Sequence, residues 1–251
     1  MDWSIIIENL ALYRSGFFVT LQLVSISLVI GLLFAIPLAV IRTSKNYIVT
    51  APVRAFIYFF RGTPLLVQIY LMYHGLPILL KLILSFYGFD VSQNLDVALK
   101  DTFLLKYMWE LFKEAYFCAL VAFTLNTCAY TTEIIRGAIE GTPFGEIEAA
   151  ISCGMSRFKM MKRIILPSAF RRALPSYGNE VIFMLHGSAI ASVITIEDLT
   201  GVARIINSKY ASPYEAFIAA GVLYLCLTFI LVGCFKLLEK KWYAHLRRDD
   251  S

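Results

Sequence analysis

Residues 148–167 read EAAISCGMSRFKMMKRIILP, a polar and basic stretch set between apolar segments long enough to cross a membrane. Glu148-Ala149-Ala150 is followed by three residues, Gly154, nine residues, Ile164, one residue, then Leu166-Pro167. Just upstream, Thr142-Pro143 reads as a helix start, with Thr142 as N-cap and Pro143 in the first helical position. Glu146 and Glu148 then fall in the first turns, where the helix dipole favours negative charge. Gly154 followed by Ser156 reads as a stop and a fresh cap. A second short helix over 156–165, basic on its exposed face through Arg157, Lys159, Lys162 and Arg163, ends at Leu166-Pro167. The stretch is therefore expected to form a helix–turn–helix elbow outside the membrane. Its Ala149-Ala150 pair keeps one surface small enough for a groove of another protein to approach. Charge alone fits equally an ordinary basic loop held by lipid head groups.

The composition around this loop is that of a membrane protein. Hydrophobic residues make up 59% of the 251-residue chain and charged residues 16%, with a mean hydropathy of +0.68. A soluble domain carries about 25% charged residues. One all-helical, polytopic domain over 1–251 fits this length better than two soluble domains. Cys118, Cys128, Cys226 and Cys234 lie in apolar runs and Cys153 in the basic loop, so no disulfide framework is expected. Residues 1–15 carry Asp2, Glu8 and Arg14 and show no basic leader or small-residue cleavage site, so no cleavable signal peptide is expected.

A span needs roughly 20 mostly apolar residues. Five stretches qualify, at about 15–41, 51–80, 115–135, 176–197 and 214–236, with the loop of interest at 137–167. An odd number of spans places the termini on opposite sides. With the N-terminus outside, the inner segments hold fifteen of the 23 Lys and Arg residues and the outer segments seven, Arg61 in the second span aside. That bias puts the N-terminus out and the C-terminus in. It also accounts for the net charge of +5 without nucleic acid, since no basic region is joined to a soluble nucleic-acid fold. The outer segment 81–114 contains Tyr87, Tyr107 and Trp109 and is expected to hold a short interfacial helix.

The spacing EAA, three residues, Gly, nine residues, I-x-LP resembles the signature of the integral-membrane subunits of binding-protein-dependent ABC importers, and every signature position is matched. Phe60-Arg61-Gly62-Thr63-Pro64-Leu65-Leu66-Val67-Gln68 is similar to the FRGTPLLVQ stretch of polar amino acid permeases. Residues 126–134 (NTCAYTTEI) resemble their third span, and Leu174-Pro175 with Asn179-Glu180-Val181 the start of their fourth. Together these matches cover most of residues 17–240. Met184-Leu185-His186-Gly187 adds a likeness to M-type subunits of importers for histidine, lysine, arginine and ornithine. Many relatives have Lys-Asp where this chain has His186-Gly187, a departure that touches the identity of the substrate. The resemblance implies the transmembrane fold of a type I ABC importer, in a bacterial inner membrane. It implies that the elbow is a coupling helix docking on an ATPase, through Glu148, Ala149, Ala150 and Gly154. The implied partners are a homologous membrane permease subunit, two ATP-binding subunits, a periplasmic amino-acid-binding protein and membrane lipid. ATP and Mg belong on the ATPase, with no cofactor in this chain.

Charged groups within spans cost about 2.5–3.5 kcal/mol at the centre on insertion scales and usually serve a path or a partner. Arg61 precedes Gly62-Thr63-Pro64, where Pro64 removes a backbone donor and favours a kink. Arg61 either bridges to a carboxylate or carbonyl in a bent helix or snorkels to the inner interface. Asn126, Tyr130 and Glu133 fall on one face of the third span at i, i+4 and i+7. Asn179, Phe183 and His186 form a second such face, with Glu180 one residue round from it. A cationic amino acid needs carboxylates and acceptors along its path, which makes Glu133 and Glu180 candidates, with Tyr130 available for cation–π contact. The competing reading has Glu133 paired with Arg136 or Arg61, Glu180 buried in packing and His186 simply hydrogen-bonded. No G-x-x-x-x-G-K-[ST], G-x-S-x-G, H-E-x-x-H or paired-cysteine motif occurs, and three scattered histidines make no metal set, so the chain is not expected to be an enzyme. A membrane enzyme acting on lipid, a passive channel, or a permease for another amino acid such as glutamine are the rival readings.

Overall fold

The computed structural model describes residues 3–86 and 110–242, and among these every regular element is helical. The interfacial helix expected around Tyr87, Tyr107 and Trp109 lies largely outside the described residues. The elements, in chain order, are α1 (Ser4–Glu8), α2 (Leu10–Arg42), α3 (Tyr47–Gly62), α4 (Leu65–Tyr70), α5 (Leu76–Phe86), α6 (Ala115–Glu140), α7 (Phe144–Ser152), α8 (Arg157–Met160), α9 (Leu166–Gly187), α10 (Leu199–Tyr210) and α11 (Pro213–Trp242). Wider π-type turns at Leu71–Gly75 and Met161–Ile165 join α4 to α5 and α8 to α9.

Among the described residues, four helical stretches are long and apolar enough to cross a membrane: Leu10–Arg42, Leu65–Ile83, Ala115–Glu140 and Pro213–Trp242. Two departures from the expected spans have local causes. The second is interrupted where Pro64 lacks an N–H, so α3 stops at Gly62 and the apolar stretch restarts at Leu65. The expected fourth span, 176–197, carries Glu180 and His186; its helix ends at Gly187 and the chain tightens into a 3-10 turn over Ser188–Ile194.

The chain divides into two compact units. The first comprises residues 1–27, 63–126 and 187–223. Tyr13 is buried there and its hydroxyl donates to the Ala216 carbonyl at 2.8 Å. Asp198 caps α10 by accepting from the Gly201 N–H at 2.8 Å, and the Leu199 N–H donates to the Thr20 hydroxyl at 3.1 Å. In this way the start of α10 is tied to α2 by groups that water cannot reach.

The second unit comprises residues 28–62, 127–186 and 224–251. Its core brings together Ala35 and Ala39 of α2, Cys128, Ile135 and Ile139 of α6, and Ile165 and Ala169 around the start of α9. Ala35 and Ala39 are four residues apart and so share a helix face. Small side chains there let helices approach closely, the usual device where lipid removes the hydrophobic drive between helices. Arg172 closes one end of this core. Its guanidinium donates to the Ala138 carbonyl through Nε at 3.2 Å and Nη2 at 3.0 Å. It also donates to the hydroxyls of Thr142 at 2.7 Å and Ser168 at 2.6 Å. Replacing Arg172 by Ala strands these acceptors and is expected to cost about 2 kcal/mol. A lower Tm of the purified chain, partly restored by Arg172→Lys, is the check.

Candidate functional site

The elbow forms, with its details set by backbone hydrogen bonding. α7 begins after Pro143, which holds φ −56° and ψ 134° and is itself the capping residue. Thr142, expected as the N-cap, is not used for that. Its hydroxyl donates to the Ile139 carbonyl at 2.7 Å and accepts from Arg172, so it finishes the preceding helix. α7 ends as the sequence predicts. Gly154 sits at φ +69°, the left-handed conformation in which glycine carries no steric penalty. The Gly154 N–H donates to the Ile151 carbonyl at 2.8 Å and the Met155 N–H to the Ala150 carbonyl at 3.1 Å. These two bonds are the paired closure of a Schellman turn. Ser156 then caps α8, accepting from the Lys159 N–H at 3.4 Å.

Leu166-Pro167 does not end the second helix. The chain stays helical from Arg157 to Gly187 through the wider turn at Met161–Ile165. A proline brings a missing N–H and a clash with the preceding turn, and a π-type turn just ahead of it relieves both.

The Ala149-Ala150 pair divides between two faces. Ala150 is 2% exposed, turned into the elbow, while Ala149 is exposed. Ala150 therefore supports the turn from within and offers no surface to a partner. Glu148 is exposed and has no hydrogen-bond or ion-pair partner among the described residues. Phe144 and Ile151 lie four residues before and three after it, hence on the same face. They are 82% and 60% exposed, and Phe158 on α8 is 77% exposed. The sequence reading missed these three side chains. The available signal was the presence of large apolar residues in a short stretch otherwise read as polar.

The polar residues of the spans separate into distinct clusters. In the first unit, Asn126 donates to the Gln68 Oε1 at 2.9 Å, and Gln68 Nε2 donates to the Thr63 carbonyl at 2.9 Å and hydroxyl at 2.8 Å. Gln68, 1% exposed, thus staples the break at Pro64 and holds Asn126; its role went unread in the sequence. In the second unit, Glu133 is engaged by Arg136 at 2.8 Å and Arg42 at 3.4 Å, and Arg136 reaches on to Glu140 at 2.6 Å. Two guanidinium groups thus neutralise Glu133.

Also in the second unit, Arg61 lies over the Tyr130 ring, 5.1 Å from its centre. Glu180 is 7% exposed, its carboxyl buried in the same unit. The contact that Arg61 makes here is with the Tyr130 ring beneath its cation. His186 is exposed, with its Nε2 3.1 Å from the Thr228 hydroxyl. Asn179 and Phe183 are exposed as well, so the face they share with His186 is open along α9. Among the described residues no group of three His, Cys, Asp or Glu side chains is placed to hold a metal ion.

Comparison with known proteins extends this picture. The family model described as "Binding-protein-dependent transport system inner membrane component" matches residues 18–243. The chain is 43% identical over 240 residues to the histidine/lysine/arginine/ornithine transport system permease protein HisM of Escherichia coli (strain K12), covering 95% of this chain and 92% of HisM. It is 41% identical over 247 residues to the nopaline transport system permease protein NocM of Agrobacterium fabrum, covering 98% of this chain and 94% of NocM. Among solved structures, the fold is similar to a chain of an amino acid ABC transporter crystallised with histidines, with a TM-score of 0.77 and 31% identity over 96% of this chain and 99% of that one.

Proposed function

The chain belongs to the binding-protein-dependent transport system inner membrane components, and from that premise we propose that it is the membrane subunit of an ATP-driven importer of basic L-amino acids. It crosses the inner membrane five times, with residues 176–197 as the fourth crossing, its N-terminus periplasmic and its C-terminus cytoplasmic. It pairs with a homologous membrane subunit. Two ATPase subunits, which bind ATP and Mg, seat on the two elbows, and a periplasmic binding protein delivers the amino acid.

One observation carries the coupling assignment: a rigidly terminated short helix displays two large apolar side chains and an unpaired carboxylate on one exposed face. Exposed apolar groups beside a charge are what a protein groove recognises, and such anchors dominate binding energy. Glu148 and Ala149 form the contact face, while Ala150 and Gly154 hold its shape. Closure of the ATPases on ATP moves the elbow and, through the continuous helix from Arg157 to Gly187, the membrane core. Uptake by proteoliposomes holding all components tests the proposal. Arginine, lysine and histidine should compete with one another and glutamine should compete poorly. Uptake that proceeds without ATP would reject it in favour of a passive channel.

The pathway assignment involves Asn126, Tyr130, Glu133, Glu180 and His186. Within this set Glu180 and Tyr130 are the groups suited to a cationic side chain, because Glu180 is a buried carboxylate and Tyr130 already takes the Arg61 guanidinium over its ring. Glu133, held by Arg42 and Arg136, serves the path by fixing its inner end, and His186 borders it on the open face of α9. Glu180→Gln is expected to raise the KM for arginine by roughly tenfold, as fits loss of one charge-assisted contact, and to leave glutamine transport unchanged. Equal loss for both substrates would assign Glu180 to packing.

A further inference from the structure

Two adjoining hollows in the second unit share Phe170 and Trp242. The first, about 470 Å³, is bordered by Arg171 and Lys241, both exposed. The second, about 240 Å³, has apolar walls that include Leu32, Ile135, Leu174, Phe235 and Leu238. The phenolic hydroxyl in its lining, that of Tyr177, donates to the Leu28 carbonyl at 3.4 Å. The second hollow therefore presents almost no polar group to a guest.

We propose that the two hollows together form a binding site for one anionic phospholipid. The phosphate lies between Arg171 and Lys241, and a length of acyl chain enters the apolar hollow. Two cations on neighbouring helix ends provide charge complementarity for a phosphate, each worth about fivefold in affinity near a membrane surface. The apolar hollow is about eight times the ~30 Å³ that a water molecule occupies, room for part of a single hydrocarbon chain. Trp242, the last residue of α11, lines both hollows, and tryptophan favours the membrane interface. A free phosphate leaves the apolar hollow unused, and a zwitterionic lipid sets its own cation against Arg171 and Lys241. The bound lipid bridges the start of α9 to the end of α11, and the site is independent of which amino acid the chain carries.

The test is native mass spectrometry of the full chain released from nanodiscs containing equal phosphatidylglycerol and phosphatidylcholine. One retained phosphatidylglycerol per chain is expected. Arg171→Gln with Lys241→Gln should weaken its retention by about 30-fold. Leu238→Trp, which narrows the apolar hollow and leaves both cations, should also release it. Equal retention of the two lipids, or full retention by the double variant, would overturn the proposal. So would displacement by glycerol 3-phosphate as effective as by the lipid, which would reduce the site to one for phosphate alone.

Discussion

Glu148→Arg is expected to abolish ATP-driven uptake while leaving the chain folded and inserted. Glu148 has no partner on its own chain among the described residues and is exposed, so folding does not depend on its charge. Surface changes of this kind usually alter stability by no more than about 0.5 kcal/mol. The same position lies at the centre of the Phe144–Ile151 face, which we assign to the ATPase. Reversing a charge at the centre of a docking surface loses one favourable interaction and adds a repulsive one, about 3 kcal/mol or ~100-fold in affinity. Co-isolation of the ATPase and uptake should therefore fail together, with the Tm of the chain unchanged. Loss of uptake with the ATPase still bound would separate Glu148 from docking and place its role later in the cycle. Retained docking with retained uptake would remove it from the mechanism.

Gly201→Ala is the substitution expected to damage the fold most. A Cβ at Gly201 would run into the carbonyl oxygen of Ile196, which is backbone and cannot swing aside. The Gly201 N–H donates to the buried Asp198, and the chain just upstream turns through Thr195 at φ 68°. Relieving the overlap means breaking the cap, leaving the Gly201 N–H without its acceptor in a dry interior, and pulling Leu199 from Thr20. Each of these leaves a buried polar group unpaired, and together they cost about 3 kcal/mol or more. Gly221→Ala in the same unit is the matched control: an added Cβ there meets nothing within 4 Å. Alanine favours a helix over glycine by about 1 kcal/mol, so this variant should be neutral or slightly more stable. A Tm for Gly201→Ala equal to that of the unsubstituted chain would contradict the packing described at the start of α10.

Much of the elbow was legible because its signals are local. A left-handed glycine, a serine cap and an i,i+3 pair such as Glu133–Arg136 are fixed by a few consecutive residues, and each is present. The break at Pro64 was legible for the same reason. Features decided by distant partners were not. Thr142 has the chemistry of an N-cap, yet Arg172, thirty residues away, takes its hydroxyl. Pro167 has the chemistry of a helix stop, yet a π-type turn ahead of it carries the helix through. Composition marks Ala149 and Ala150 as one small surface, but a helix rotates successive residues by about 100°, and only Ala149 faces outward. Tyr130 and Arg61 are 69 positions apart in the sequence and come together only in the fold.

Cys153 supplies the most direct test of the central claim that this elbow is the ATPase contact on the cytoplasmic side. Its thiol is exposed one residue before Gly154. In a variant that keeps Cys153 and replaces the other four cysteines, the measurement is labelling by a membrane-impermeant maleimide in sealed vesicles. Cys153 should react in inside-out vesicles, resist labelling in right-side-out vesicles, and become protected when the ATPase subunits are added back. Labelling from the periplasmic face, or a rate unchanged by bound ATPase, would contradict the account.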